Sequence, residues 1–102
     1  MKDEATIEDV IDVEEYAKSG KPVPKGKSYR LRVDKVQFVH KESTITGRSV
    51  LELAGKLPVD RYRLDLKLKG GATRKVSLEE VVDLTLPGVE RFLTVPLDQT
   101  EG

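Results

Sequence analysis

Cysteine is absent from the sequence, which excludes disulfides, thiolate metal sites, thiol catalysis and cysteine-held iron–sulfur clusters. Histidine occurs once, as His40, with no second ligand type at metal spacing. Neither a zinc centre nor a Ser/His/Asp arrangement is expected from it. Net charge is also lacking, because 18 basic residues balance 18 acidic ones. No overall field draws in nucleic acid or an anionic membrane, and few aromatics are on hand to stack bases. No stretch approaches the roughly 20 apolar residues that cross a bilayer. The opening Met1-Lys2-Asp3-Glu4 leads into acidic residues rather than the apolar core of a secretory signal. These absences point to a cytoplasmic, non-enzymatic domain without metal or cofactor.

The 102 residues that remain to be explained hold one modest domain. Residues 1–28 are charged and carry Gly20, Pro22, Pro24 and Gly26 close together, a cluster that breaks helices and strands alike. They read as an N-terminal arm. Residues 29–96 have a dense, regular apolar pattern, and residues 97–102 form a short polar tail.

The periods within 29–96 give the elements. Tyr29, Leu31 and Val33 alternate with Arg30, Arg32 and Asp34, the period of a half-buried strand. A second strand over Val36 to Lys41 makes a hairpin about Asp34-Lys35. Thr46 caps a helix whose Val50, Leu51, Leu53 and Ala54 share one face, with Gly55 as its stop. Tyr62, Leu64, Leu66 and Leu68 alternate with Arg63, Asp65, Lys67 and Lys69. Gly70-Gly71 then turns the chain into a partner strand through Val76. Ser77-Leu78-Glu79-Glu80 has capping-box spacing and predicts a short helix up to Leu84. A last strand runs from Val89 to Val95. The order ββαββ, short helix, β is an α+β arrangement of the β-grasp type, with one helix on one face of a small mixed sheet. Its predicted core is Tyr29, Leu31, Val33, Val50, Leu53, Leu64, Leu66 and Leu68.

Three groups of residues invite a functional reading. Arg30, Arg32, Arg63, Lys67 and Lys69 fall by alternation on the face away from the helix, either as ordinary solvated charge or as a docking surface for an acidic partner. In the arm, Thr6 and Ser19-Gly20 bracket a helical pattern of Ile7, Val10, Ile11 and Tyr16. This is either a partly helical leader or a helix docked on a neighbouring copy. The stiff Pro22-Val23-Pro24 stretch, which carries the arm outward, favours a homo-oligomer. Asp9, Asp12, Glu14 and Glu15 lack the glycine and carbonyl spacing of a calcium loop and read as a solvated helix face.

The segments "SYRLRVD", "TGRSVLELAGKLPVDRYRLDLKLKGG", "SLEEVVDL" and "GVERFLTVP" resemble the bacterial multiubiquitin-domain family over about residues 10–96. The resemblance implies a ubiquitin-like modifier of a bacterial ubiquitination-like pathway, with phage defence among the implied settings. The implied partners are ubiquitin-type activating and conjugating enzymes, a metal-dependent isopeptidase and target proteins. Only one module is present, without internal repeat. On this resemblance Gly102 is the acyl donor, since a residue without Cβ passes a narrow channel to a nucleotide. The tail is acidic at Asp98 and Glu101 and has one glycine rather than two, and a non-covalent scaffolding module is the alternative. Gly70-Gly71, between two strands, reads as a turn.

Overall fold

The computed structural model describes residues 9–97. In chain order the elements are β1 (Val10–Asp12), α1 (Val13–Ser19), β2 (Ser28–Val33), β3 (Val36–His40), β4 (Thr44–Thr46), α2 (Gly47–Leu53), a single 3-10 turn (Val59–Arg61), β5 (Tyr62–Leu68), β6 (Thr73–Val76), β7 (Val81–Asp83) and β8 (Val89–Pro96). β2 pairs antiparallel with β3 from Tyr29↔His40 to Val33↔Val36, so the hairpin turns at Asp34-Lys35 as the spacing predicts. β5 lies between β6 and β8, antiparallel to both. β8 in turn meets β2 in parallel at Val33↔Phe92. First and last strands of the predicted domain therefore adjoin at the middle of the sheet, with α2 on one face: the α+β, ubiquitin-like β-grasp arrangement.

The core forms on the α2 side. Tyr29, Leu31, Val33, Val50, Leu64 and Leu66 are buried there as predicted, while Leu53 and Leu68 are only partly buried. Phe92, Leu51 and Leu84 complete it without measurable exposure. Thr46 caps α2 by accepting from the Ser49 amide at 3.1 Å, and Gly55 takes the left-handed conformation just past the helix end.

Two expectations are corrected. The predicted helix after Ser77 is not formed: Val81–Asp83 is a strand, paired with Thr44–Thr46. Its β-branched Val82 lies buried opposite Ile45, and the carbonyls of Leu78 and Glu80 accept from the Arg48 and Gly47 amides. Those amides are among the donors that a helix start leaves unmatched. The turn from Ser77 to Glu80, closed by the Glu80 amide on the Ser77 carbonyl, serves them, and Gly47 admits it closely, since a Cβ there would fall 2.2 Å from the Ser77 carbonyl oxygen.

The second correction concerns the arm, which folds back. β1 pairs in parallel with β2, Ile11 opposite Tyr29 and Asp12 opposite Arg30. The outer edge of β2 is occupied by β3 along Tyr29–Val33, so β1 and β8 share its other edge, one after the other. α1 then packs against β2 and β8. Asp12, not Thr6, is its N-cap, accepting from the Glu15 amide, and left-handed Gly20 closes it with bonds to Ala17 and Tyr16. Ile11, Val13 and Ala17 are each 1% exposed. The proline segment does not hold the arm out, because Val23 between the two prolines is itself buried in the core. Burial of these side chains at about 25 cal/mol per Å² of apolar surface outweighs the local stiffness of a proline pair.

Candidate functional site

The predicted basic face and the predicted arm meet. Asp12, at the end of β1, lies 3.6 Å from the Arg30 guanidinium. Glu14, in the first turn of α1, lies 2.9 Å from Arg32 Nε and 3.3 Å from Lys18 Nζ. The Arg32 contact, to Glu14 Oε1, is an ion pair without hydrogen-bond alignment, as Arg32 Nε has no hydrogen-bond partner, and Glu14 Oε2, which faces Lys18, has none either. Lys69 donates to the Lys18 carbonyl at 3.0 Å, at the C-terminal turn of α1, where the helix dipole favours a cation. Farther along the face, Lys67 pairs with Glu90 at 3.4 Å and Arg63 with Asp65 at 2.9 Å. All five predicted face residues are thus engaged within the chain, and three of them by β1 and α1. The alternation of the arm, Val10-Ile11-Asp12 against Ser28-Tyr29-Arg30, held the signal for this pairing: opposite charges fall at matching positions.

The arm residues are placed in the same region. Ile11 is core, Tyr16 is partly buried against it, and Val10 and Tyr16 line a polar hollow of about 380 Å³ with Asp12, Glu15, Ser19, Lys21 and Arg30. Ile7 lies outside the described residues, as does Gly102. No group of histidine and acidic side chains suited to a metal ion occurs among the described residues. His40 is used locally, its Nε2 2.9 Å from the Thr44 carbonyl. Gly70 and Gly71 both have positive φ in the β5–β6 turn, the conformation for which glycine is suited.

At the far end of the sheet, Pro96 faces Tyr62 across the β5–β8 ladder, and the Leu97 amide donates to the Arg61 carbonyl at 2.8 Å. A latch that the sequence reading missed secures this strand. Asp34, in the hairpin turn with φ of 56°, accepts from the Thr94 amide at 2.8 Å through Oδ1 and from the Thr94 hydroxyl through Oδ2. Its own amide donates to the Phe92 carbonyl. Asp83 is a second local acceptor: the Thr85 hydroxyl and then the Thr85 amide hold its carboxyl below the usual carboxylate range.

No helix among the described residues is long and apolar enough to cross a membrane. The family model described as multiubiquitin matches residues 29–96, about two thirds of the chain. No curated protein and no solved structure gives a match.

Proposed function

The chain belongs to the multiubiquitin family through residues 29–96, and from that membership we propose that it acts as a ubiquitin-like protein modifier with Gly102 as acyl donor. An activating enzyme adenylates the Gly102 carboxylate with ATP and releases pyrophosphate. A cysteine thiolate of that enzyme then displaces AMP. The acyl group passes through a conjugating enzyme to an amine or hydroxyl of a target protein, the thiol leaving. This chain has no cysteine, so every thiol in the relay belongs to a partner. A metal-dependent isopeptidase hydrolyses the linkage, and the setting is a bacterial ubiquitination-like pathway of phage defence.

The family match carries the reading, and the end of the sheet supports it. β8 ends at Pro96 and the Leu97 amide is tied to the Arg61 carbonyl; the sequence from Asp98 to Gly102 has a contour length of about 16 Å at roughly 3.3 Å per residue. Purified chain, ATP and the activating and conjugating enzymes of the same system should give a larger covalent species on denaturing gels. Deletion of Gly102 should abolish it without changing the melting temperature. Substitutions at Gly70 and Gly71 should lower stability while leaving conjugation chemistry intact. Undiminished conjugation by the deletion variant overturns Gly102 as the acyl donor, and absence of any covalent species from the full chain leaves the non-covalent scaffolding module as the function.

A further inference from the structure

We propose that the outer edge of β3, with the groove beneath it, is a docking site for an extended peptide in which a run of aliphatic residues is flanked by acidic ones. Among the described residues β3 pairs on one side only, with β2. In a two-residue hairpin the closing pair, here Val33 and Val36, exchanges hydrogen bonds, and opposite pairs then alternate. The amides and carbonyls of Gln37 and Val39 therefore point away from β2, toward the open edge. Val36 and Val39 are 55% and 50% exposed.

The two ends of the sheet differ in their protection. β6 carries Arg74 and Lys75, and charge on an edge strand discourages the approach of another chain. β3 carries no charged residue from Val36 to Val39. A groove of about 240 Å³ opens beside it, floored by Val33, Val36, Phe38 and Ala54 and rimmed by Asp34, Lys35 and Lys56. This is below the roughly 300 Å³ at which small-molecule sites begin, and suits a side chain of an added strand.

The charge of the rim selects the occupant. The Asp34 carboxylate is already committed to Thr94, and Lys56 reaches it only at 3.9 Å. Lys35 has no ion pair among the described residues, unlike the cations of the opposite face. Acidic residues beside an aliphatic run therefore meet positive charge while the run pairs with the edge, the arrangement of strand addition. A second copy of β3 fits worse. Antiparallel pairing centred on Phe38 sets Lys35 of one copy opposite Lys41 of the other at both ends, and like charges directly opposite destabilise a ladder.

The site is independent of the tail chemistry, and its test needs no enzymes or ATP. The probe is a fluorescent synthetic peptide with an isoleucine–valine run followed by aspartates, titrated into the full chain by fluorescence polarisation. Amide chemical shifts should map its contact. Binding should perturb Gln37, Val39 and the groove residues, and a peptide with lysines for the aspartates should bind at least about fivefold more weakly. Gln37→Pro, which removes an amide that the β2–β3 ladder does not use, should weaken binding about tenfold or more. Lys35→Glu, an exposed change harmless to the fold, should weaken it about fivefold. Absence of binding, shifts confined to the face of Arg63 and Val95, or equal affinity for Lys35→Glu overturns the proposal. Concentration-dependent dimers in light scattering, abolished by Gln37→Pro, likewise overturn it by assigning the edge to a second copy.

Discussion

Asp34 joins the first hairpin to the last strand through a single carboxylate. A hydrogen bond to a charged group contributes about 1.5–3 kcal/mol, and loss of the acceptor strands the Thr94 groups. Asp34→Ala should therefore destabilise by at least about 2 kcal/mol in denaturant titration, and Asp34→Asn by less. Asparagine tolerates the left-handed conformation and keeps a carbonyl acceptor. Asp83 makes a pH prediction. Its folded carboxyl is held low by Thr85, so its contribution to stability is complete above the unfolded value of about 4 and is lost as pH falls through the folded one. Carboxyl carbon shifts should report a depressed midpoint, and Thr85→Val should move it upward while removing only the hydroxyl partner. Neither carboxylate stood out in the sequence. Asp34 read as a turn residue and Asp83 as the end of a helix, because the partner of the first lies 60 positions away and the turn about the second depended on the fate of the segment before it.

Among the elements, the strongly periodic ones follow from sequence and the short ones do not. The alternation of Tyr62 to Leu68 and the Thr46 cap locate β5 and α2. β1, β4 and β7 have three residues each, too few for a period to establish itself, and only tertiary partners decide them. The arm illustrates the difference. Val10, Ile11, Val13, Tyr16 and Ala17 fit a helical stripe, yet the first two belong to a strand because the edge of β2 beside Ser28–Arg30 is open to them. Alternation groups Arg30 and Arg32 on one face, but the acids that pair with them, Asp12 and Glu14, belong to the segment read as outlying. Ile11→Ala should cost about 2–5 kcal/mol, as expected of a filled core position rather than of a loose leader. A chain starting at Lys27 should melt at lower temperature than the full chain. Equal melting temperatures would show that the arm contributes nothing to the fold.

For the whole molecule, one core carries the stability. Leu66 is 2% exposed at the centre of the sheet, opposite Phe92 and Arg74 on its two flanks. Leu66→Ala should remove about 2–5 kcal/mol from a total on the order of 5–15. Denaturant midpoints measure it, and a change below about 1 kcal/mol contradicts the packing described. The family match begins at Tyr29, whereas the packed unit begins earlier, with β1. The division into arm and domain at residue 28 is therefore one of sequence pattern, and the buried surface crosses it.

The central position of β8 has a consequence for how the chain comes into being. Its partners, β2 and β5, are made long before it, and neither can be joined to the other until it arrives. At about 5–20 residues per second the ribosome needs on the order of ten seconds for such a chain. From the end of β6 at Val76 until β8 is complete at Pro96, the hairpins β2–β3 and β5–β6 exist as separate halves with apolar faces uncovered. Closure is a late, non-local event of the kind that slows folding, and it comes only when Phe92 has cleared the exit tunnel and can fill the space between Val33 and Leu66.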